Sequence, residues 1–269
     1  MNSGETSAHQ SDADSHVGYY RTNQAYADRL SGNVEAGYAK YYTWLAGSSL
    51  RGARILDVGC GSGQAVHALA KQGSEAYGVE VAKTSLKLAT KNGPGDFRIF
   101  DGLHLPFKDD FFDAVGSFTV LEHVEDPELA LREMIRVLKP GGTIVVACPN
   151  FLRVLGISAH HPHTRGLTNK FRNLALILGK SAQLSVSPGR MHFAHMPLVQ
   201  RDGPFQPDDD AITVTNALDI LAIWRQTGVR KIYHSSLLYP SRPLLEAISR
   251  LPLVRTLTGG VFLVGRKRA

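Results

Sequence analysis

The sequence predicts an α/β fold in which a parallel sheet is covered by helices on both faces. From residue 54 onward, short apolar runs alternate with stretches of helical period, the pattern of parallel strands joined by crossover helices. One such run, "RILDV", enters a turn with three glycines in five positions, Gly59, Gly61 and Gly63. The 269 residues are enough for one large α/β domain or two small ones.

The elements follow in order. Strands are expected at 54–58, 76–79, 97–100, 112–118 and 143–147, with a later pair at 231–238 and 261–265. The clearest helix spans 127–138. Asp126 suits its cap, Pro127 its first turn, and Leu131, Ile135 and Leu138 share one face before "KPGG" stops it. "AITVTNALDILAIWRQTG", 211–228, reads as a helix ended by Gly228. An aromatic-rich helical stretch over 19–45 is expected to cover one sheet edge. Residues 1–18 are polar, lack the apolar stretch of a secretory signal, and read as a disordered tail before a single domain over 19–269. The segment 150–210, with Pro, Gly and five histidines, is long for a connection and reads as a functional insertion. "TIVVAC" and "LALIL" suit core strands or short buried helices, and "LALILG" and "LLEAISRLPLVRTL" also read as core or interface stripes.

Composition bounds the class. Hydrophobic residues make up 43% and charged residues 20%, as in soluble globular proteins. No apolar run approaches the roughly 20 residues of a membrane span. Only Cys60 and Cys148 are present, which suggests neither a disulfide framework nor a thiolate metal site and fits a reducing, cytoplasmic setting. The formal charge of +6 permits an anionic partner without requiring nucleic acid.

The glycine turn narrows the ligand. A nucleoside-triphosphate loop needs Gly-Lys-Ser/Thr where this chain has Gly63-Gln64-Ala65. The dinucleotide fingerprint needs a small residue at its sixth position. Counted from Gly59 that position is Gln64, and from Gly61 it is Val66. A nicotinamide-dependent reductase is disfavoured on this spacing. Preceded by Asp57, the spacing instead resembles the first motif of the class I S-adenosylmethionine-dependent methyltransferases, in the branch of small-molecule, type 11-like enzymes. "YGVEVAKTSLKLA", "RIFDGLHLPFKDDFFDAV" and "GSFTVLEHVEDPELALREMIRVLKPGGTIVVACPN" resemble the next landmarks, in family order.

The resemblance implies a doubly wound, Rossmann-like, seven-stranded sheet of order 3-2-1-4-5-7-6. Its last strand is antiparallel, with an N-terminal helical cover and a cap insertion after strand 5. It implies S-adenosylmethionine as cofactor. Asp57 and the Gly59 carbonyl would meet the ammonium, with Cys60, Gly61 and Gly63 completing the turn. Glu80, followed by Val81, would accept both ribose hydroxyl protons; its alternative role is a solvated helix-start acid. Asp101 would receive the adenine amino group, with Gly102 and Leu103 at the ring edge; its alternative role is a turn cap. Phe118, Thr119 and Val120 would line the cofactor from below.

Methyl transfer is an in-line displacement whose alignment supplies roughly 7–11 kcal/mol of the barrier. A hydroxyl nucleophile also benefits from a base. His123, His160, His161 and His163 are the candidates, His123 having a structural hydrogen bond as its alternative role. Residues 150–201 contain no Asp or Glu but seven cations. This favours a small anionic acceptor, with Arg153, Arg165, Tyr19 and Tyr20 as substrate contacts, unless the cations only solvate a loop. "HHPH" and "HFAH" lie about thirty residues apart with no cysteine or acid close by, so a metal is not expected. The favoured reading is methyl transfer to oxygen by a monomer or homodimer that binds no DNA. An RNA nucleoside or a lipid- or quinone-type acceptor are alternatives, as is a catalytically silent cofactor-binding partner.

Overall fold

The computed structural model describes residues 35–47, 51–155, 161–199, 208–238 and 241–269. The expected tail, most of the 19–45 helix, Tyr19, Tyr20 and His160 lie outside them.

Seven strands form one sheet: β1 Arg54–Val58, β2 Glu75–Glu80, β3 Asp96–Ile99, β4 Phe112–Phe118, β5 Leu138–Pro149, β6 Val229–Ser235 and β7 Gly260–Lys267. Their order is β3-β2-β1-β4-β5-β7-β6. β7 runs antiparallel to both neighbours, and the other pairings are parallel. The sheet matches the order that the family resemblance implied.

The central strands are mainly apolar and buried because both faces are covered. Successive residues point to opposite cores. Ile55, Val145, Phe262 and Val264 join Tyr41 and Leu45 of α1 (Glu35–Ala46) and Val66 and Leu69 of α2 (Gln64–Lys71). Leu56, Ile144, Val146 and Leu263 join Leu131 and Met134 of α4 (Pro127–Val137) and Ile220 and Trp224 of α6 (Ala217–Gln226). Between these lies α3 (Lys83–Asn92), which follows β2.

Most departures from the expected boundaries have local causes. α4 begins as expected: the Asp126 carboxylate accepts the Leu129 N–H at 2.9 Å. It ends at Val137, and "KPGG" lies within β5, whose Leu138 pairs with Phe112 before an irregularity in register. α6 starts at Ala217 rather than 211, because the Asn216 side chain accepts the N–H groups of Leu218 and Asp219. Residues 211–216 stay extended. Thr213 and Thr215 donate their hydroxyls to the carbonyls of Val124 and Pro149, and β-branched residues favour that backbone.

The insertion after β5 holds a 20-residue helix, α5 (Leu167–Val186). "LALIL" sits in its middle with Leu176 and Leu178 exposed, so it is neither a core strand nor a short buried helix. "LLEAISRLPLVRTL" forms two short helices, α7 (Pro243–Ser249) and α8 (Pro252–Leu257).

Candidate functional site

The site lies at the carboxyl ends of β1, β2 and β4, beside the central strand, where open α/β sheets bind ligands. The cleft encloses about 1090 Å3 of non-atom space, part of it open to solvent, enough for a nucleoside-sized ligand.

β1 delivers Asp57 and the glycine turn. The N–H groups of Gly59 and Cys60 both donate to the Val79 carbonyl, at 2.9 and 3.0 Å, which pins the turn to the end of β2. Gly59, Gly61 and Gly63 all have φ in the left-handed region, which glycine adopts without steric cost. Their neighbours differ. A Cβ on Gly59 would overlap Val120, and one on Gly63 would lie 2.8 Å from the Phe97 ring. Gly63 is the N-cap of α2 and does not line the cleft. Of the three turn glycines it is the one set against Phe97 rather than the cleft.

Glu80 closes the second side. One carboxylate oxygen accepts the N–H groups of Val81 (2.8 Å) and Ala82 (3.0 Å), and the other that of Gly61 (3.0 Å). Burial pushes its carboxyl upward, and these three donors pull it partway back. Far from being a solvated acid, Glu80 is 7% exposed and ties the turn to the crossover after β2. Asp57 is buried too and accepts a 2.6 Å hydrogen bond from the Tyr41 hydroxyl. Burial, with Glu80 nearby, pushes it up to about 7 against the pull of that hydrogen bond.

The floor is Phe118, Thr119 and Val120. Thr119 has φ +51°, unusual for a β-branched residue, and donates its N–H to the Ala147 carbonyl at 2.7 Å. Such strain concentrates at ligand sites. The Phe118 ring packs on Tyr38, 4.8 Å between centroids, and Tyr38 joins the lining. Phe100, Gly102 and Leu103 form the far wall, and Val81 lines the cleft beside Glu80.

Asp101 holds its own turn. Its carboxylate accepts the N–H groups of Leu103 and His104, both at 2.7 Å, and it is half exposed beyond the lining. It caps a turn, the common use of an Asp-Gly pair.

Among the described residues, His123 is the only histidine on the cleft wall. It ends a short turn, Leu121–His123, and is 15% exposed. Its Nδ1 lies 3.3 Å from the Asp210 carbonyl and 3.7 Å from the Asp210 carboxylate. A carbonyl only accepts, so this contact uses a ring hydrogen on Nδ1, and Nε2 lies 3.8 Å from the Glu122 carboxylate. Beside it Glu122 is fully buried, its carboxyl raised well above the usual range by burial and by Asp208 and Asp210.

The other basic candidates lie elsewhere. His161 is buried, accepts the His163 N–H on Nδ1 and packs against the Phe151 ring. His163 is pulled down by burial and by Arg172. Arg153 reaches the Thr164 hydroxyl, and Arg165 is exposed beside the short helix Pro162–Thr164. None of these four lines the cleft. The cation-rich insertion also meets acids supplied from elsewhere in the chain, as in Lys180–Asp219 at 2.6 Å and His192–Glu128 at 3.5 Å.

Sequence reasoning missed Tyr38, Ser62, Gln64 and Glu125 at the cleft, the buried Tyr41 that holds Asp57, and Asp210 beside His123. The aromatic run in 38–42 was the one visible signal.

The donor set suits a ligand with hydroxyls and positive charge. Two buried carboxyls with raised proton affinity gain from a nearby cation and would repel a pyrophosphate. The Asp57 value sets a pH dependence. The folded state retains a proton that the unfolded chain loses in the ordinary carboxylate range. Stability from this group is full at low pH and is lost as pH rises through about 7. The limiting loss is on the order of 4 kcal/mol. Urea unfolding at pH 5 and pH 8 should show this decline in the natural chain and its absence in Asp57→Asn.

Residues 56–146 match the methyltransferase domain family. Methyltransferase GfsG of Streptomyces halstedii is 38% identical over 104 residues, covering 36% of this chain and 37% of that protein. The ubiquinone biosynthesis O-methyltransferase of Chromobacterium violaceum is 36% identical over 109 residues, covering 38% and 47%. The chain thus spans less than half the length of these curated relatives. In fold, an S-adenosylmethionine-dependent methyltransferase from Mesorhizobium loti aligns with TM-score 0.55 at 17% identity, over 88% of this chain and all of that one. The matched stretch, 56–146, carries the glycine turn, Glu80, the Phe118–Val120 floor and His123, and the fold is shared with S-adenosylmethionine-dependent methyltransferases.

Proposed function

We propose that the protein transfers a methyl group to an oxygen of a small, weakly acidic acceptor such as a phenol, with His123 as acceptor of the hydroxyl proton. S-adenosylmethionine, when bound, supplies an electrophilic methyl on a sulfonium. The chain's own residues hold and align the reactants. Asp57 and the glycine turn receive the amino-acid end. About three of the Glu80 carboxylate's four acceptor positions are taken by backbone N–H groups. Glu80 therefore receives one ribose hydroxyl rather than both. Phe118, Thr119 and Val120 support the reacting centre from below, and Leu103 meets the base edge.

The observation that carries the base assignment is His123 on the cleft wall, with Nδ1 3.3 Å from the Asp210 carbonyl. Base catalysis of this kind contributes typically 10²–10⁴-fold. Among the described residues none of the insertion's cations lines the cleft, which weakens the case for a strongly anionic acceptor, so acidity is assigned to the reacting hydroxyl. The names of relatives that act at oxygen support that atom.

The test has two arms. Calorimetry with S-adenosylmethionine and with NAD should show binding of the first alone; tight NAD binding without the other would overturn the cofactor reading. With 3,4-dihydroxybenzoate as probe acceptor, labelled methyl should appear on oxygen. His123→Gln should lower kcat about 100-fold or more while cofactor affinity stays within twofold. An unchanged kcat would remove His123 as base.

A further inference from the structure

We infer that one face of the protein, made by α5 with α7 and α8, lies against an anionic lipid surface. This does not depend on the methyl-transfer reading.

α5 buries Asn173 and Ile177 against the body of the protein. Its opposite side is an apolar stripe at helical spacing: Leu167, Phe171, Ala175, Leu178, Ala182 and Val186 are all exposed. The large members are far from marginal, with Phe171 71% and Leu178 63% exposed. α7 and α8 add Leu244, Leu245, Leu251 and Leu253, again exposed. Both patches are tied to the same segment. The Asn173 amide donates to the Phe151 carbonyl, and the N–H groups of Val154 and Leu155 donate to the Leu257 carbonyl. Leu155, between them, is exposed as well. Large exposed apolar areas of this kind mark interaction surfaces.

The charge beside this face decides the occupant. Arg165, Lys170 and Arg172 flank or lie on α5, and Arg242, Arg250 and Arg255 lie on or beside α7 and α8. Among the described residues none of these six is in an ion pair with an acid. Residues 161–199 contain no Asp or Glu. The sole acid in 241–257, Glu246, is 2.9 Å from Lys40. A second copy of this face would bring like charges together. An apolar stripe beside unpaired cations instead complements a surface that is apolar beneath and negative on top. Amphipathic helices of this composition lie in the interfacial plane of a bilayer, attracted by anionic lipid. A helix of 20 residues is about 30 Å long, and its exposed side is convex, which suits a plane better than a groove.

The test uses the full chain and sedimentation with vesicles. One set is phosphatidylcholine alone; the other contains three parts in ten phosphatidylglycerol. We expect at least tenfold more protein bound to the anionic set at 0.1 M salt, and a marked fall at 0.5 M. Phe171→Asp with Leu178→Asp should abolish the binding, while circular dichroism and S-adenosylhomocysteine affinity stay those of the natural chain. Equal binding to both sets, or anionic binding untouched by the double variant, would overturn the proposal. So would a concentration-dependent dimer in sedimentation velocity that the same variant dissolves without any vesicle binding, since the face would then belong to a second copy. Capture of an acidic peptide in place of vesicles would overturn it in favour of a protein partner.

Discussion

Replacing Gly61 with valine is expected to weaken S-adenosylhomocysteine binding at least 100-fold, with a stability loss of a few kcal/mol at most. Gly61 has φ +52° and lines the cleft. A β-branched residue there costs on the order of 1–3 kcal/mol of backbone strain, and the chain relieves it by moving the turn. The turn is not free to move without loss, because the Gly61 N–H donates to Glu80 at 3.0 Å and the two preceding N–H groups hold the end of β2. The cradle and its carboxylate would therefore part together. Gly63→Ala makes the comparison. Its Cβ meets Phe97 and Ala89, away from the ligand, so it should lower the melting temperature while the folded molecules retain affinity. Calorimetry and thermal unfolding of the two variants read the difference. Affinity within threefold of the natural chain for Gly61→Val would mean that the turn does not form the ligand's cradle.

How legible this was in the sequence depends on the range of the forces involved. β1 and β4 fall where the apolar-rich runs 54–58 and 112–118 place them, because a strand covered on both faces is made mostly of apolar residues. The glycine turn was legible as a ligand loop, yet spacing alone could not separate Gly61 from Gly63; that depends on Phe97, a residue of another strand. Asp101 was ambiguous for a similar reason: the Asp-Gly pair serves a local turn and a ligand contact equally well in one dimension. His123 was legible as a candidate, but its holder, Asp210, is 87 positions away. The insertion was the least legible part. Its cations looked unopposed because Asp219 and Glu128 come from distant segments. The α5 stripe looked like core because apolar residues at helical spacing carry no mark of which way the stripe faces.

The second large effect is expected at Glu80. Glu80→Ala removes the acceptor of three backbone N–H groups, from Gly61, Val81 and Ala82. An unsatisfied buried donor costs about 1–3 kcal/mol, and water entering the cleft would satisfy some of them. The net destabilisation should be about 3 kcal/mol, with cofactor affinity down at least 100-fold. Glu80→Gln separates the two losses. Its amide oxygen keeps an acceptor for one side of the bridge, while its NH2 group faces a backbone N–H where the carboxylate accepted. Stability should fall between that of Ala and the natural chain, and affinity should fall nearly as far as in Ala, because a donor now stands where a ribose hydroxyl is to donate. Urea unfolding and calorimetry on the three proteins give the order. If Glu80→Ala kept both its stability and its affinity, the carboxylate would be neither the clasp between β1 and β2 nor a ligand contact. If it lost stability alone, the clasp would stand and the ribose would have to be held by another group.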